Sequence, residues 1–442
     1  MSQSVSILPK PKSCKMTKGE FQLSSEATIT CSGEGAVEVG ELLAEYLRPA
    51  SGYAYPVSES QIPGSIHLQA AGVADADEAG FVDEHYTLNI TENGVVIDAE
   101  NATGLARGIQ SLRQLFPSAI MADRVQKTDW VLPAVEIEDS PRFRWRGQHL
   151  DVGRHFFSVE EVCKFIDLLA LHRLSIFHFH LTEDQGWRIE IKKYPRLTEI
   201  GSKRDCTLIG HDNTRPRRYD HSPYGGFYTQ EEIKKIVAFA SRRHITIVPE
   251  IDMPGHMAAA ITAYPELGNF EAKIRVRCHW GISQNVLNVE DSTVNFMKDV
   301  LSEVMDLFPG RFIHVGGDEA LKHEWSESER AQDKMHALGL KSEDELQSWF
   351  IRQMDKHIEA AGRRLIGWDE ILEGNVAPSA TITSWRGIEG AIHAAREGHD
   401  AIMAPGSHLY FDHYQSRSVN EPLAIHGLTP IRETYSFEVI PE

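Results

Sequence analysis

Two adjacent carboxylic acids, Asp318 and Glu319, follow an apolar run and two glycines in the segment Phe312-Ile-His-Val-Gly-Gly-Asp-Glu-Ala320. The glycines allow the backbone to bend, so the two acids need not point to opposite sides as neighbours on a straight strand do. Two acids in one pocket repel each other, and burial raises the pKa of at least one, which leaves a proton donor beside an anion. Asp-Glu pairs are also common on surfaces, but the strand and glycines before this pair favour a functional site. Cleavage of a glycosidic bond requires such a donor and anion.

Two histidines, His178 and His180, stand two positions apart in an apolar run. Residues at this spacing on a strand share one face, an arrangement that also occurs at the metal sites of hydrolases. No later strand end supplies the remaining ligands in an obvious arrangement, so a hydrogen-bonded structural role is favoured. No nucleotide-binding glycine motif opens any of the expected helices. The sequence therefore predicts neither a metal nor a cofactor.

Short apolar runs recur after residue 141, and helical segments lie between most of them. The runs cover residues 150–152, 175–181, 245–251, 312–315, 365–368, 381–385 and 401–403. Three helical segments open with an S/T-x-x-E capping box, beginning at Ser158, Thr229 and Ser342. Strands that alternate with helices over about 300 residues predict a parallel sheet, in either a (β/α)8 barrel or a doubly wound fold. The missing nucleotide motif disfavours the doubly wound, nucleotide-binding alternative.

Charged, polar or aromatic side chains stand at the end of nearly every run. They are Asp151, Arg154, Glu183, Asp184, Glu250, Asp252, His256, Asp318, Glu319, Trp368, Asp369, Glu370 and Trp385. A buried parallel strand has no structural reason to end this often in acids and histidines. In a barrel the strand ends converge on one face, where active sites are built. Polar loops explain one such end, but five in succession favour a site.

Residues 1–140 are expected to form a separate small α+β domain whose sheet is covered by helices on one face. Its strands are expected at 66–68, 86–90 and 95–97. Asn93-Gly94 is a typical hairpin turn before the last of these. The apolar face of the following helix consists of Leu105, Ile109, Leu112 and Phe116. The polar, proline-containing stretch 138–141 marks the predicted boundary with a second domain, 141–442.

The chain has 442 residues and a formal net charge of −19 at pH 7, which argues against a polyanion such as nucleic acid as partner. Its five cysteines lack the spacing of a disulfide framework or a zinc site. No segment approaches the roughly 18 apolar residues of a membrane span, and the first residues lack the apolar core of a signal peptide. We therefore expect a cytoplasmic protein, or an exported one supplied without its signal. The oligomeric state is not predicted.

Six motifs in order resemble glycoside hydrolase family 20, the β-N-acetylhexosaminidases, over almost the whole chain. They are Arg146-Gly-x-x-Leu-Asp-Val-x-Arg-His155, His178-x-His-Leu-Thr-x-Asp-Gln-Gly-Trp187, Val248-Pro-Glu-Ile-Asp-x-Pro-Gly-His256, His314-Val-Gly-Gly-Asp-Glu319, Gly367-Trp-Asp-Glu-Ile371 and Tyr410-x-Asp412. The resemblance implies a (β/α)8 TIM-type catalytic barrel preceded by a small domain. It also implies an exo-acting, retaining enzyme that removes terminal β-linked N-acetylglucosamine or N-acetylgalactosamine from glycans. Catalysis in this family is substrate-assisted, through an oxazolinium-type intermediate.

The resemblance assigns catalytic roles to five residues. Glu319 would be the general acid and then the base that activates water. Asp318 would hold the acetamido N–H and stabilise the positively charged intermediate, and Tyr410 would bond the acetamido oxygen. His256 and Glu183 would form a relay that tunes Glu319.

Five further residues are expected to bind the substrate. Arg154 would hold the outer hydroxyls of the sugar, and Asp412 would hold a hydroxyl near the other end of the ring. Trp368 and Trp385 would form the walls of the acetamido pocket. Asp184, next to the relay, belongs to the same set.

Two departures from the family pattern affect these expectations. Many members carry Asp-Asp where this chain has Glu183-Asp184, so either Glu183 reaches His256 or Asp184 serves instead. The chain also offers seven candidate strands where a barrel needs eight, and it stops at Tyr435-Ser-Phe-Glu-Val-Ile-Pro-Glu442. A barrel lacking its last strand is therefore expected.

Two alternative functions remain open at this point. The first is a sugar-binding protein or fragment with impaired catalysis, in which N-acetylglucosamine binds without turnover. The second is a metal-dependent hydrolase built around His178 and His180, which a chelator would inhibit.

Overall fold

The computed structural model describes residues 5–60, 65–77, 80–271 and 273–441. Within these ranges the chain forms two compact units. The first comes from Met1–Gln148, Glu160–Phe177 and Ile236–Thr246, and the second from His149–Val159, His178–Lys235 and Ile247–Glu442. The division into domains near residue 140 stays a prediction.

The first unit contains a mixed sheet of seven strands. In spatial order they are Ser13–Gln22, Val131–Asp139, Tyr86–Thr91, Gly94–Ala99, Ile66–Ala70, Ile29–Ser32 and Val57–Glu59. Thr91 pairs with Gly94, so Glu92 and Asn93 form the tip of the hairpin, and the turn lies one residue before the predicted Asn93-Gly94. The three expected strands are present, and further strands extend the sheet on both sides. Helices Ala36–Ser51 and Ala102–Leu115 pack against this sheet.

The helix Ala102–Leu115 begins at a side-chain cap. The side-chain Oδ1 of Asn101 accepts from the N–H groups of Thr103 and Gly104, which would otherwise lack partners. Its predicted apolar face is confirmed, because Leu105, Ile109 and Leu112 are fully buried. Burial of each such side chain stabilises the fold by about 1.5–3 kcal/mol. The helix ends one residue before the predicted Phe116, since the residue before Pro117 already adopts extended backbone.

The second sheet carries the candidate site and has seven strands within the described residues. They are β1 (Gly147–Asp151), β2 (Ile176–His180), β3 (Thr246–Glu250), β4 (Phe312–His314), β5 (Arg364–Trp368), β6 (Thr381–Ser384) and β7 (Ala401–Met403). The strands lie side by side in chain order, and each successive pair from β3 to β7 runs parallel. This arrangement is of the TIM type, which confirms the predicted fold class. In the described part of the chain β1 and β7 are its edge strands.

Helices alternate with these strands, as the capping boxes predict. The longer ones are Val159–Leu171, Gln230–Ser241, Asp291–Leu307, Glu329–Leu338, Glu343–Ala360 and Glu389–Arg396. Short helical turns occur at Ser118–Met121, Arg196–Glu199, Ala258–Ala263, Pro265–Leu267, His323–Glu327, Asp369–Leu372, Gly406–Leu409 and Ile431–Ser436. Across the ranges that the structure describes, none of the helices has the length and hydropathy to cross a membrane.

The box at Thr229 is reciprocal, because Glu232 N–H donates to Thr229 Oγ1 at 3.2 Å and Thr229 N–H donates to Glu232 Oε2 at 2.8 Å. At Ser342 the hydroxyl accepts from Glu345 N–H at 3.3 Å. The Glu345 carboxylate reaches one residue further back, to Lys341 N–H. These bonds satisfy backbone donors at the start of both helices.

Three small hairpins interrupt the loops after β2. They pair Thr182–Glu183 with Gly186–Trp187, Lys203–Arg204 with Tyr224–Gly225, and Leu208–Ile209 with Arg218–Tyr219. Two-residue strands are too short to show an alternating hydrophobic pattern, so the sequence did not reveal them. The first hairpin holds the predicted Glu183-Asp184 pair directly after β2.

Candidate active site

Beyond β4 the backbone makes the predicted bend at Gly316 and Gly317, whose φ angles are 68° and 99°. A Cβ atom on Gly316 would lie 1.7 Å from Asp252 Oδ1, and one on Gly317 would lie 2.4 Å from an isoleucine methyl group. Glycine is therefore required at both positions. The bend leads into Asp318 and Glu319. Glu319 itself has a φ of 48°, which is unusual for a residue with a side chain.

One imidazole faces both acids of the predicted pair. His256 Nε2 lies 3.5 Å from Asp318 Oδ2 and 3.4 Å from Glu319 Oε2. The histidine side chain is buried, whereas the side chains of Asp318 and Glu319 are 18% and 29% exposed. The bend thus turns two neighbouring acids toward a single buried group and leaves both accessible to a ligand.

The other nitrogen of His256 faces Glu183 rather than Asp184. His256 Nδ1 is 2.9 Å from Glu183 Oε1 and 4.0 Å from Asp184 Oδ2. The same Glu183 oxygen lies 2.7 Å from Arg154 Nη2. Asp184 is fully buried and accepts a hydrogen bond from Ala258 N–H at 3.0 Å. Of the two alternatives left open by the sequence, Glu183 is the acid that reaches the imidazole.

The row from Glu183 through His256 to Asp318 has a defined charge pattern. Burial opposes ionisation of Glu183, but Arg154 and His256 outweigh it and lower its pKa. Burial also opposes the charge on His256, yet Glu183 and Asp318 raise its pKa well above its ordinary value. At Asp318 burial prevails over the attraction of His256 and raises the pKa. An anion and a cation therefore stand beside an acid that binds its proton more tightly than a free aspartate.

A second group of predicted residues lies after β5, β6 and β7. The rings of Trp385 and Tyr410 stack with centroids 6.2 Å apart and planes 17° apart. Trp385 Nε1 donates to Glu370 Oε2 at 2.9 Å. Burial and then the charge of Asp318 raise the pKa of Glu370 to about 7, and the same two causes raise the pKa of Tyr410. Asp412, two residues beyond the tyrosine, is exposed.

The last predicted residue, Trp368, belongs to a buried cluster centred on Glu250. Trp368 Nε1 donates to Glu250 Oε1 at 2.9 Å. Four histidines surround the same carboxylate, namely His178 Nε2 at 2.6 Å, His180 Nδ1 at 2.8 Å, His314 Nδ1 at 3.2 Å and His149 Nε2 at 3.7 Å. Burial disfavours the anion, but these histidines outweigh it and hold the pKa of Glu250 well below its ordinary value. Of the two histidines of β2, His180 is hydrogen-bonded to Glu250, and His178 lies against the same carboxylate oxygen.

Several of these polar groups lie close enough together to be considered as metal ligands. Among the described residues four sets hold ligand atoms within 4.8 Å of one another: His149, His178 and Glu250; His180, Glu183 and Asp252; Glu183, Asp184 and His256; and Asp252, His256 and Asp318. In the first set two atoms are only 2.6 Å apart, whereas two ligands of a tetrahedral zinc are roughly 3.3 Å apart. The other sets rely on His180 or His256, whose Nδ1 atoms already face carboxylate oxygens at 2.8 Å and 2.9 Å. The donor chemistry therefore fits hydrogen-bonded networks better than an ion site.

Some contributors to the site carry little sequence signal. The sequence indicates Asp252 only as an acid at a strand end. In the structure its Oδ1 accepts from Gly317 N–H at 3.2 Å and so stabilises the bend at Gly316 and Gly317. Arg277 Nη1 lies 3.4 Å from Asp184 Oδ2 and comes from a long loop without a motif. His149 is an isolated histidine in the sequence. Only the alternating pattern of β1 could have indicated that His149 points to the same side as Asp151.

The chain matches two family models. Residues 143–442 match the catalytic domain of glycosyl hydrolase family 20, and residues 4–140 match domain 2 of the same family. A beta-hexosaminidase of Porphyromonas gingivalis is 43% identical over 440 residues, which cover 99% of this chain and 55% of that protein. A beta-hexosaminidase of Vibrio furnissii is 35% identical over 444 residues, which cover 99% of this chain and 69% of that protein. The chain thus spans about half of the first relative and two thirds of the second.

Solved structures show the same likeness. The N-acetyl-beta-hexosaminidase of Streptomyces plicatus, in complex with Thio-NAglucal, superposes with a TM-score of 0.82 at 32% identity, over 98% of this chain and 80% of that one. The GH20 exo beta-N-acetylglucosaminidase of Vibrio harveyi, in complex with N-acetylglucosamine, gives a TM-score of 0.83 at 34% identity, over 98% and 65%. The matched models, the relatives and the site at the end of β4 agree: the chain belongs to glycosyl hydrolase family 20.

Proposed function

We propose that this chain is an exo-acting, retaining β-N-acetylhexosaminidase that removes terminal β-linked N-acetylglucosamine or N-acetylgalactosamine from glycans. The observation that carries the proposal is the meeting of Asp318 and Glu319 at one buried imidazole. Both acids are partly exposed, and burial raises the pKa of Asp318. Relatives named beta-hexosaminidase support the same activity.

In the first step the acetamido oxygen of the substrate attacks the anomeric carbon, and the bond from that carbon to the leaving oxygen breaks. Glu319 gives its proton to the leaving oxygen. Asp318 accepts a hydrogen bond from the acetamido N–H and faces the positive charge that develops on the oxazolinium ring. No enzyme group bonds to the sugar, which distinguishes this route from the ordinary two-carboxylate mechanism.

In the second step water attacks the anomeric carbon, and the bond to the acetamido oxygen breaks. Glu319, now ionised, takes the proton of the water and returns to its starting state. Each step inverts the anomeric carbon, so the product retains the β configuration. One carboxyl group thus serves as acid and base in turn.

The relay behind Glu319 supplies a fixed positive charge. His256 is held as a cation between Glu183 on one side and the two reacting acids on the other. A cation 3.4 Å from Glu319 Oε2 stabilises the carboxylate that forms when the proton leaves. Arg154 keeps Glu183 ionised and in turn is available to the outer hydroxyls of the sugar, because its side chain is 41% exposed.

The acetamido group is bounded by aromatic rings in this proposal. The stacked Trp385 and Tyr410 form one side, with the tyrosine hydroxyl bonding the acetamido oxygen, and Trp368 forms another. Asp412 is exposed on the segment after Tyr410, in keeping with a contact to a sugar hydroxyl. Asp184 has no exposed surface, so its contribution to sugar binding passes through the loop that it braces.

Hydrolysis of an aryl N-acetyl-β-glucosaminide by the chain tests the proposal. Wild type should turn over, and Glu319→Gln and Asp318→Asn should lose most of their activity while remaining folded. Glu327→Gln is a matched control, because this acid lies eight residues after Glu319 and is 58% exposed. Binding of N-acetylglucosamine without turnover by folded wild type would favour the sugar-binding alternative.

The metal-dependent alternative is tested with a chelator. Activity in EDTA should equal activity in its absence, because His178 Nε2 and Glu250 Oε2 lie 2.6 Å apart, too close to be two ligands of one tetrahedral metal ion. Loss of activity in EDTA, restored by a divalent cation, would replace the proposed mechanism with a metal-dependent one.

A further inference from the structure

Glu250 is a buried acid that the proposed chemistry does not use. It ends β3, its side chain has no exposed surface, and it lies in register with His314 of β4. Its two oxygens face donors from other strands. Oε1 accepts from the Trp368 indole of β5, while Oε2 faces His178 and His180 of β2. With His314 of β4 and His149 of β1 also facing it, this carboxylate brings together residues of five strands.

The two histidines nearest to the Glu250 carboxylate, His178 and His180, differ in charge. Burial outweighs the nearby acid at His178 and lowers its pKa to about 3, so this ring is neutral. At His180 the acids outweigh burial and raise the pKa to about 9, so this ring is charged. His180 is thus a cation that lies 2.8 Å from the Glu250 carboxylate. A buried carboxylate that is paired in this way keeps its lone pairs available for the indole N–H.

The Trp368 ring has contacts that fix it in one orientation. Beyond the bond to Glu250, its ring centroid lies 4.8 Å from that of His314, 5.6 Å from His178 and 6.0 Å from His149. Only 7% of the tryptophan surface is exposed. A bulky ring fixed by one hydrogen bond and three ring contacts makes a rigid wall rather than an adaptable one.

We propose that Glu250 is a positioning residue, which fixes the Trp368 indole and thereby limits the length of the N-acyl group that the site accepts beside Asp318. This inference rests on the proposed function, in which Trp368 forms a wall of the acetamido pocket. The charge of Glu250 also acts on Asp318 and Tyr410, so the carboxylate stands close to the reacting groups without touching the sugar.

The test compares kcat/KM for aryl β-glucosaminides that carry an N-acetyl or an N-propionyl group. Wild type should prefer N-acetyl, because a rigid pocket rejects one extra methylene by roughly 10-fold or more. Glu250→Leu removes the acceptor, and Trp368→Phe removes the donor while keeping a ring. Each should lower the preference about fivefold, and the double variant should lower it no further. Glu250→Gln keeps an oxygen that accepts the indole N–H, so it should recover part of the preference.

Glu84→Gln is the matched control, since Glu84 is a buried, ion-paired acid of the first unit that should affect stability without changing the acyl preference. If Glu250→Leu fails to fold, Trp368→Phe alone decides the matter. A preference within twofold of wild type in folded Glu250→Leu or in Trp368→Phe overturns the inference, as do effects that multiply in the double variant. Wild type that cleaves neither substrate overturns the proposed function, and the inference with it.

Discussion

Glu84 in the first unit and Asp318 in the second are both largely buried acids, but their surroundings act on them in opposite directions. Glu84 accepts a hydrogen bond from Arg107 Nε at 2.8 Å and also pairs with Arg146. These guanidinium groups outweigh burial and lower its pKa. Asp318 has a shared imidazole at 3.5 Å, and burial prevails there.

The difference shows what distinguishes a structural acid from a reactive one. Two arginines satisfy one carboxylate at Glu84, so the ionised form is the stable one. At Asp318 one histidine is divided among several acids, and the ionised form keeps a residual cost. Acids without a full set of positively charged partners are typical of functional sites. The positive charge that develops during the reaction supplies the partner that is missing at rest.

The largest expected effect is a difference in kcat between variants of Asp318 and variants of Glu84. Asp318→Asn and Glu319→Gln should lower kcat by roughly 10²–10⁴-fold, because each removes a group that acts on the transition state. Glu84→Gln should change kcat less than twofold as long as the protein is folded. Initial rates with an aryl N-acetyl-β-glucosaminide measure both. A large fall in kcat for folded Glu84→Gln would abolish the distinction.

For stability the order of the two acids should be reversed, with the larger loss at Glu84. Glu84→Gln should lower the free energy of unfolding by about 3–5 kcal/mol, because it leaves two largely buried arginines without their anion. Asp318→Asn should leave stability unchanged or raise it. Urea unfolding followed by circular dichroism gives both values. Equal losses in the two variants would show that Asp318 is also a structural acid.

The contribution of Glu84 should depend on pH with a defined sign. Its pKa is lowered in the folded state, so the stabilisation is present above the ordinary value of 4.5 and is lost as the pH falls below it. The stability difference between wild type and Glu84→Gln should therefore be constant at neutral pH and shrink in acid. A difference that grows on acidification would contradict the assignment.

The smallest effect on stability is expected at Glu370, an acid whose pKa is raised in the folded protein, as that of Asp318 is. Its pKa is raised from 4.5 to about 7, so stability is highest below 4.5 and is lost as the pH rises through about 7. Glu370→Gln should remove this loss and be more stable than wild type by about 1–3 kcal/mol above pH 8. Unfolding at pH 5 and pH 8.5 tests the sign. A variant that is less stable than wild type at pH 8.5 would show that the Trp385 bond requires the charge.

Local signals in the sequence predicted a large part of this structure. The bend at Gly316 and Gly317 and the reciprocal box at Thr229 are confirmed, because each depends on residues that are neighbours in the chain. The hairpin predicted at Asn93-Gly94 is present, with its turn one residue earlier. The strands of the parallel sheet are also confirmed, since buried strands are continuous apolar runs.

Other elements left no local signal. The strand Ser13–Gln22 is mostly exposed and lacks apolar alternation, and the helix Ala36–Ser51 contains Pro49 within its last turn. The cluster around Glu250 depends on five strands that are distant in sequence, so only its individual members were visible. The sequence likewise does not show whether Glu183 or Asp184 contacts His256, because one methylene decides between these two adjacent acids.

The left-handed backbone of Glu319 has a consequence for how this protein would respond to selection. A residue with a side chain at a φ of 48° adds strain at the point where Asp318 already resists ionisation. Substitutions of Asp318 or Glu319 that abolish turnover should therefore tend to raise heat resistance, whereas Gly316 and Gly317 must remain glycine. In a library screened only for survival at high temperature, the end of β4 should be among the first places to change. The most durable descendants of such a screen would then be among the least active.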